Sequence, residues 1–426
     1  MNKISKNGSK KNGHNLLNWA EERMPILQKI STRFESEKPL KDIKIGVALH
    51  LEKKTGILLR TLCKGGAEIS ASSCNPLTTD DTVAAALSDE MTIHAWAGQT
   101  DEEYYECLHA VLSAQPNILI DDGCDLIFLA HSKYPEIIKN IYGACEETTT
   151  GIVRLQAMHR DAALKFPIMA VNNAFSKYLF DNRYGTGQSV IEGILSATNT
   201  LIAGKNIVIA GYGWCGRGLA DRLKGLGAKV FVVETASNNA YGSSGYHRAL
   251  EALYDGCWVG SMNEAAPLGD IFITATGNKH AINKDHLTKM KDGAILANAG
   301  HFNHEIDLNG LRSISSSSDE ILTNVEKFIL KNGKHLILLS QGRLVNLSQP
   351  TGQGHPIEIM DASFGIQALC VEYLAKNYKD LDSSIHDVPM LIDNEVAKIA
   401  LDSHGIQLDE LSKDQQKYIE SWQEGT

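Results

Sequence analysis

The chain has 426 residues, enough for two or three domains at roughly 150 residues per domain. Acidic residues outnumber basic ones 51 to 41, and the resulting net charge of −10 argues against a nucleic-acid-binding protein, because phosphate backbones bind clustered Lys and Arg. With 43% hydrophobic and 22% charged residues, the composition is typical of a globular protein and excludes a largely disordered chain.

The chain contains no run of about 18 apolar residues, so we expect no membrane-spanning helix and no membrane partner. Residues 1–15 are basic and polar, and no apolar stretch follows them. We therefore predict a disordered or helical lead-in over 1–40 and no signal peptide. The eight cysteines are spread singly, which favours reduced thiols and a cytoplasmic location. Because the 15 histidines show no HExxH spacing, we predict no metal site.

From residue 41 onward, short apolar runs alternate with longer amphipathic stretches. The predicted strands are 43–49, 67–72, 91–96 and 117–120, and the predicted helices are 55–65, 80–88 and 102–113. This alternation predicts a parallel sheet with helices on both faces. Ligands of such sheets bind beyond the carboxyl ends of the strands, so His50, Asn75 and Asp122 are candidate functional residues.

A second unit with the same alternation begins near residue 189. Its predicted strands are 206–210, 229–233, 271–275, 294–298 and 335–340, with helices at 191–202 and from the glycine turn to 223. The sequence therefore predicts an α/β fold of two doubly wound parallel-sheet domains, followed by a short helical C-terminal segment with a cap near Leu411 and Ser412. The stretch 235–248 is rich in Gly, Ser and Asn and predicts an exposed loop.

A glycine-rich turn joins the predicted strand 206–210 to a helix. Gly211 allows the tight turn, Gly213 lets a pyrophosphate approach the backbone, and Gly216 permits close packing of helix and strand. Glu234, at the end of the next strand, would accept hydrogen bonds from ribose hydroxyls and repel a 2′-phosphate. The pattern predicts NAD in preference to NADP, and by itself it indicates a dehydrogenase; the alternative is a strand–turn–helix junction that binds nothing.

Nine short motifs occur in order along the chain. They are LH at 49–50, SCN at 73–75, DDG at 121–123, EETTTG at 146–151, KYLFDN at 177–182, GYG at 211–213, NAGHF at 298–302, GRLVN at 342–346 and GHP at 354–356. With these motifs the chain resembles the S-adenosyl-L-homocysteine hydrolase (adenosylhomocysteinase) family, in its short-tailed branch, over nearly the whole length from about residue 41.

The resemblance implies a substrate-binding domain over 41–183 and 353–392, an NAD-binding Rossmann domain over 184–352, and a helical segment over 393–426. It implies reversible hydrolysis of S-adenosyl-L-homocysteine, or a close purine-nucleoside analogue, to nucleoside and L-homocysteine. In the family, NAD transiently oxidises the 3′-hydroxyl, the 4′ C–H loses its proton, homocysteine leaves, water adds, and the hydride returns. It further implies a role in the methionine cycle of one-carbon metabolism and a homo-oligomer, either a dimer or a tetramer.

The resemblance also implies roles for particular residues. Lys177 and Asp181 match the groups that contact the ribose hydroxyls, with Lys177 as base for the 3′-OH once burial or charge lowers its pKa. Asp122 and His50 match the groups that move the C4′ proton and handle the water and the leaving thiol, and Glu147 matches the carboxylate that orients the ribose. Without the family, Lys177 and Asp181 would be interpreted as a surface ion pair.

Further matches surround the cofactor and the substrate. His301, also a catalytic candidate, and Asn346 match residues near the nicotinamide, while Asn75, His355 and Phe302 match substrate-side residues, the last two at an access gate. The expected cofactor contacts are Thr148, Thr149, Thr150, Asn182, Gly211, Gly213, Trp214, Cys215, Gly216, Arg217, Gly218, Glu234, Ala299, Gly300, His301, Asn346 and His355.

The chain departs from the family at the residues that would contact the base. Many members have Thr two residues after the motif histidine and Glu four after it, where this chain has Glu52 and Lys54. Adenine has a donor at N6 and an acceptor at N1, whereas hypoxanthine reverses both, which Lys54 and Glu52 would match. S-inosyl-L-homocysteine is therefore an alternative substrate, unless Lys54 turns to solvent and other groups contact the base.

Three further departures concern the tail, the loop and one thiol. The chain lacks the family's C-terminal Lys and Tyr that reach a neighbouring subunit's NAD, its loop after Glu234 is longer, and Thr186 replaces a frequent Cys. A specialised NAD-dependent nucleoside 3′-dehydrogenase or epimerase without thioether cleavage is a competing interpretation, and a non-catalytic regulatory protein is another.

Overall fold

The computed structural model describes residues 2–236 and 244–423, and within these ranges sixteen strands form two eight-stranded sheets. The strands of the first half are β1 Lys3–Ile4, β2 Lys44–Ala48, β3 Glu68–Ser72, β4 Thr92–Ala95, β5 Ile118–Asp121, β6 Gly143–Glu146 and β7 Ile168–Ala170. The remaining strands are β8 Asn206–Ala210, β9 Lys229–Val233, β10 Trp258–Gly260, β11 Ile271–Thr274, β12 Ala294–Asn298, β13 Ser315–Leu322, β14 Val325–Leu330, β15 His335–Leu339 and β16 Ile385–Asp387.

Seventeen α-helices are found in the same described ranges. Those that precede the second sheet are α1 Lys10–Glu21, α2 Pro25–Glu37, α3 Lys53–Lys64, α4 Asp81–Leu87, α5 Asp101–Ser113, α6 Asp125–Lys133, α7 Thr149–Arg160, α8 Phe175–Lys177 and α9 Thr186–Thr198. The others are α10 Trp214–Gly225, α11 Gly245–Tyr254, α12 Met262–Ala265, α13 Lys284–Lys289, α14 Leu308–Ile314, α15 Ile357–Asn377, α16 Met390–Ser403 and α17 Lys413–Glu420.

The central strands of each sheet are buried on both faces. Successive side chains of a strand point to opposite sides, so one strand contributes to two apolar cores. In β5, Ile118 and Ile120 pack into one apolar core and Leu119 into another. In β11, Ile271 and Phe272 likewise belong to different cores. The fold is therefore α/β with helices on both faces of two sheets, as predicted.

The strand order of each sheet reverses at its centre. The first sheet runs β1-β4-β3-β2-β5-β6-β7-β16 and is parallel throughout, and its order reverses between β2 and β5. The second runs β10-β9-β8-β11-β12-β15-β14-β13 and reverses between β8 and β11. In α/β sheets the crevice beyond such a reversal is where ligands bind.

The second sheet is mixed, so the prediction of a wholly parallel domain is wrong at its edge. Strands β13 and β14 pair antiparallel with each other, and β14 pairs antiparallel with β15. β13 carries the sequence SSSSDEIL and is exposed almost throughout. Because it is polar, an apolar-run criterion could not detect it.

Of the disordered or helical lead-in predicted over 1–40, the disordered alternative is wrong for residues 2–15, and the helical one agrees with α1 and α2. Lys3 and Ile4 pair with β4, and α1 begins at Lys10. Glycine at position 13 lets α1 pack closely against α4. A Cβ at Gly13 would lie 2.0 Å from the carbonyl oxygen of Thr82, so no other residue fits there. Burial of Leu17 further along α1 fixes this helix on the first sheet's core.

The C-terminal region begins its helix earlier than predicted. Helix α16 starts at Met390, buries Val396 and Ile399, and packs against α2 and α15. Ser412 caps α17, as predicted, by accepting a hydrogen bond from the amide of Gln415. Strand β16, in the segment that follows residue 353, belongs to the first sheet, while the proposed domain boundaries stay a prediction.

Two other expectations meet the structure only in part. Helix α9 begins at Thr186, five residues before the predicted start, because it follows a π-helical segment, Tyr178–Gly185, without a break. Of the predicted loop 235–248, residues 237–243 lie outside the described residues and 245–248 begin α11. No helix of residues 2–236 and 244–423 is long and apolar enough to cross a bilayer.

Candidate functional site

A cavity of about 1010 Å³ lies where the central strands of both sheets end. Of the predicted site residues, those that line it are His50, Glu52, Lys54, Asp122, Glu147, Thr148, Thr149, Thr150, Lys177, Asp181, Asn182, Gly211, Gly213, Trp214, Cys215, Arg217, Glu234, Ala299, Gly300, His301, Asn346 and His355. These residues are far apart in sequence, and the reversal points of the two sheets bring them together.

Lys177 is at the centre of a buried charge cluster. Its Nζ lies 3.5 Å from Glu147 Oε1 and 3.4 Å from Asp181 Oδ2, and it donates a 2.9 Å hydrogen bond to Asn182 Oδ1. Only 5% of Lys177 is exposed. The four-residue spacing of Lys177 and Asp181 thus places them together, but inside the cavity and not on the surface.

The carboxyl groups beside Lys177 are held by helix α15. Ser363 donates to Asp181 Oδ2 at 2.7 Å, and Gln367 donates to Glu147 Oε2 at 2.5 Å. Ser363 and Gln367 are four residues apart and therefore on one face of the helix. Sequence reasoning missed them, although two polar residues at this spacing in the otherwise apolar stretch 362–371 were a usable signal.

The expected lowering of the Lys177 pKa is wrong for this structure. Burial does oppose the charge on Lys177, but Asp181 and Glu147 outweigh it and raise the pKa above its ordinary value. Burial likewise opposes ionisation of Asp181, yet Lys177 and His355 hold its pKa below the usual range. Lys177 is therefore an ammonium paired with the Asp181 carboxylate, and it can act as a base only after it has given up a proton.

Glu147 should make stability depend on pH. Burial raises its pKa from 4.5 to about 8, so the folded protein binds this proton more tightly than the unfolded chain. The stabilisation is complete below about pH 4.5 and is lost as the pH rises to 8. We expect Glu147→Gln to remove this component, up to about 1.4 kcal/mol per pH unit. Denaturant unfolding of both NAD-free proteins from pH 5 to 8 tests this; parallel pH dependences would contradict it.

A second cluster follows β2, β3 and β5. His50 Nε2 lies 3.4 Å from Asp122 Oδ2, and Asp122 Oδ1 lies 3.4 Å from His301 Nδ1. The other imidazole nitrogen of His50 contacts Thr78 Oγ1 at 2.8 Å. Burial lowers the pKa of His50 to about 4, so the imidazole is neutral near pH 7 and can accept or relay a proton.

Cys74 adjoins the same cluster. Its Sγ lies 3.3 Å from His50 Nδ1 and 3.8 Å from Asp122 Oδ2. Ligand atoms of these three residues lie within 4.8 Å of one another, and their types could hold a cation. Burial raises the pKa of the Cys74 thiol well above its usual value, so Cys74 is a neutral hydrogen-bonding neighbour here.

Glu52 and Lys54 form a buried pair at one end of the cavity. Lys54 Nζ lies 2.9 Å from Glu52 Oε2 and donates to the carbonyl oxygen of Gln353 at 3.0 Å. Glu52 also caps α3 by accepting from the amides of Lys54 and Thr55. Only 2% of Lys54 is exposed, so it faces the cavity and not solvent. Burial lowers the pKa of Lys54, opposed by Glu52.

His355 connects the substrate cluster to α9. Its Nδ1 lies 2.7 Å from Asp181 Oδ1, and its Nε2 lies 3.3 Å from Thr186 Oγ1. Cys215 at the glycine turn approaches the same hydroxyl at 3.5 Å. Thr186 therefore bridges the histidine and the glycine turn.

The glycine turn is shaped to receive a dinucleotide. Gly211 has φ +97°, while a Cβ at Gly213 would meet nothing within 4 Å, so open space faces this backbone. Glu234 accepts hydrogen bonds from the amide of Tyr212 at 2.7 Å and from Arg248 Nε at 2.7 Å. The buried Asn346 Oδ1 has no hydrogen-bond partner. Open backbone, an acid at the strand end and an unpaired buried amide oxygen fit NAD.

Two glycines of this turn should separate cofactor binding from folding. In Gly213→Ala the new methyl group meets no protein atom but occupies the cofactor's path, which should cost about 1–3 kcal/mol, or about 5- to 150-fold in NAD affinity. In Gly216→Ala the Cβ would lie 2.0 Å from the carbonyl oxygen of Gly211, so the fold itself should be destabilised.

Calorimetric titration with NAD and thermal unfolding of the NAD-free proteins measure the two effects. Gly225→Ala, on the same helix and with open space around its Cβ, is the matched control. Unchanged NAD affinity in Gly213→Ala would contradict the assignment.

Four predicted residues do not line the main cavity. Asn75 accepts a 3.0 Å hydrogen bond from the amide of Leu77, and Phe302 packs edge-on against His301 beside a smaller cavity of about 180 Å³. Gly216 and Gly218 allow backbone approach and do not face the cavity. Conversely, no sequence pattern indicated Arg248. Thr276 and Gly277 were predictable, because they directly follow the predicted strand 271–275.

The site belongs to a dinucleotide-binding α/β protein, as shown by the two strand-order reversals, the glycine turn and the acid at a strand end.

The family model described as S-adenosyl-L-homocysteine hydrolase matches residues 2–133, and that of its NAD binding domain matches 182–352. A relative from Methanocaldococcus jannaschii, named S-inosyl-L-homocysteine hydrolase, is 54% identical over 98% of both chains. One from Sulfolobus acidocaldarius, named adenosylhomocysteinase, is 50% identical over 97% of both. The chain belongs to the S-adenosyl-L-homocysteine hydrolase family, and its cofactor is NAD.

Proposed function

We propose that the protein hydrolyses a purine-nucleoside thioether of L-homocysteine, with S-inosyl-L-homocysteine as the favoured substrate. The observation that carries the reaction class is the buried Lys177 between Glu147 and Asp181, in the cavity that also contains the glycine turn. An ion pair with only a weak stabilising role lies on the surface, so the burial of Lys177 between two carboxyl groups indicates a functional role.

The residues around Lys177 would act on the ribose. NAD, when bound, supplies a hydride acceptor that activates the sugar and later returns the hydride. Lys177 would hold the 3′-oxygen, with Asp181 and Glu147 as hydrogen-bond acceptors for the ribose hydroxyls. Lys177 must lose a proton before it can take one from the 3′-hydroxyl, and the Glu147 and Asp181 carboxyl groups, 3.5 and 3.4 Å from its Nζ, are placed to receive that proton.

The His50 cluster would handle the elimination and the water. Asp122 lies between His50 and His301, 3.4 Å from each, so a proton taken at C4′ has two imidazoles next to its acceptor. A neutral His50 can then accept this proton from Asp122 and, as an imidazolium, pass it to the departing thiolate, or it can orient the water that adds at C5′. Burial of the cluster excludes bulk water from these steps.

The Glu52 and Lys54 pair favours hypoxanthine as the base. Two of the ammonium group's three hydrogens face Glu52 Oε2 and the carbonyl oxygen of Gln353, which leaves one to donate. Hypoxanthine offers an O6 acceptor to Lys54 and an N1–H donor to Glu52. Adenine would leave its N6 donor facing an ammonium group. The relative named S-inosyl-L-homocysteine hydrolase supports the same choice.

Assays with the inosyl and the adenosyl thioether test both parts of the proposal. Release of homocysteine, followed with a thiol reagent, is expected from the NAD-loaded protein, with kcat/KM higher for the inosyl compound. Oxidation of the sugar without thiol release would indicate the competing nucleoside 3′-dehydrogenase or epimerase. Preference for the adenosyl compound would establish S-adenosyl-L-homocysteine as the substrate instead.

We also propose that the protein acts in the cytoplasm as a homo-oligomer, with the domain boundaries predicted from the sequence. All eight cysteines are free thiols, which agrees with a reducing compartment. Light scattering of the NAD-loaded protein would give the subunit number; a monomer would contradict this part.

A further inference from the structure

Helix α8, which ends at Lys177, has no capping group of its own. The helix is a single turn, and its N-cap residue, Ala174, has no side-chain oxygen to accept a hydrogen bond. The first amides of a helix have no partner within it and must be satisfied elsewhere. For Phe175 and Ser176, this partner is a side chain more than two hundred residues away in the sequence.

Asp393 of α16 supplies both acceptors. Its Oδ2 accepts from the amide of Phe175 at 2.6 Å, and its Oδ1 accepts from the amide of Ser176 at 2.9 Å. Ser176 also donates through Oγ to the carbonyl oxygen of Asp393 at 3.2 Å. Asp393 is 4% exposed, so these hydrogen bonds are shielded from water. A charged acceptor makes such bonds short and strong.

The position of Lys177 depends on this contact because Lys177 directly follows Ser176. Its Nζ contacts Glu147, Asp181 and Asn182 at once. A helix of only three residues cannot by itself fix the direction in which the Lys177 side chain points. The π-helical segment that follows is also a less regular continuation of the helix. The group that holds the first turn therefore controls where the ammonium group lies.

We propose that Asp393 is a positioning residue for the reaction: it fixes helix α8 and, through it, the Lys177 ammonium against the ribose hydroxyls. The inference rests on the proposed role of Lys177. It links the C-terminal helix α16, which the sequence placed outside the substrate domain, to the chemical step. A displacement of about 1 Å in a reacting group can reduce a rate by about 100-fold.

The chain contains a matched control for this contact. Asp361 of α15 accepts from the amides of Ile26 and Leu27 at 2.8 and 2.9 Å, and it is 1% exposed. It caps α2, whose N-cap residue Met24 also lacks a capping oxygen. No residue of α2 lines the cavity. The two aspartates thus make the same type of contact, and only one of them holds a helix that carries a site residue.

The test compares Asp393→Asn and Asp361→Asn as NAD-loaded proteins. Asn keeps one acceptor oxygen and the side-chain volume, so both variants should fold with similar losses of stability. We expect Asp393→Asn to lower kcat about 10- to 100-fold with KM changed less than about threefold, and to slow the single-turnover reduction of bound NAD equally. Asp361→Asn should keep kcat within about twofold. Asp393→Ala, which removes both acceptors, should lose more activity than Asp393→Asn.

Three results would overturn the proposal: unchanged kcat in Asp393→Asn, equal losses of kcat in both Asn variants, or no folded Asp393→Asn protein, which would make the role purely structural. The wild-type protein and Lys177→Met are assayed in parallel. If the wild type cleaves no thioether, or Lys177→Met keeps its activity, the proposed function fails; if both behave as expected, only the Asp393 inference is at stake.

Discussion

Exchange of Lys177 for Met is expected to lower kcat by about 10²- to 10⁴-fold, the usual contribution of a positioned acid or base. Met has a similar length but no proton to exchange, and it leaves Glu147 and Asp181 without their 3.5 and 3.4 Å ionic partner. The NAD-loaded variant should bind product nucleoside but reduce its NAD at a greatly diminished rate. Stopped-flow absorbance of the nicotinamide after mixing with nucleoside measures that rate.

The matched control is Lys376→Met. Lys376 forms an i,i+4 pair with Glu372 and is mostly exposed, so it represents the surface ion pair that Lys177 and Asp181 would otherwise have formed. We expect it to keep wild-type activity. Wild-type turnover in Lys177→Met would remove the basis of the proposed mechanism.

Reversal of the base preference is the second large effect expected. The double variant Glu52→Thr/Lys54→Glu installs the residues that many family members have. Thr can still cap α3, where Glu52 now accepts from the amides of Lys54 and Thr55. Two mispaired groups at about 1–3 kcal/mol each should shift the ratio of kcat/KM values for the adenosyl and inosyl thioethers at least about 30-fold toward the adenosyl compound.

Lys53→Glu is the control for the change of charge. Lys53 adjoins Lys54 but does not line the cavity, so the same substitution should leave the ratio near its wild-type value. An unchanged ratio in the double variant would show that other groups contact the base. A strong adenosyl preference in the wild-type protein would have the same meaning.

The sequence predicted most of the fold because parallel strands buried on both faces are short apolar runs. β8, β9 and β12 have the predicted bounds, and β2 differs by one residue at each end. The failures have a common physical cause: these strands are stabilised by tertiary contacts, and their own sequences contain no apolar run that would indicate a strand. The edge strand β13 is polar, and the N-terminal strand β1 has only two residues and is defined by its pairing with β4.

Candidate side chains were predictable in identity but not in electrostatic state. The motifs indicated Lys177, Asp181 and Glu147, yet the sign of the Lys177 pKa shift follows from distances of 3.4 and 3.5 Å that spacing alone does not give. Similarly, the sequence left two orientations open for Lys54, and its burial with Glu52 decides between them. Among the residues that act through another residue, Gln367 had only its spacing from Ser363 as a sequence signal, and Asp393 had none.

Hydrolysis of the thioether in D₂O tests the redox-assisted mechanism most directly. Proton loss and return at C4′ should place one solvent deuterium at C4′ of the product nucleoside, while the hydrogen at C3′, carried by the nicotinamide and returned, should remain the original one. Mass spectrometry and NMR of the product show both positions. A product without deuterium at C4′ would indicate direct displacement at C5′ and would contradict the account.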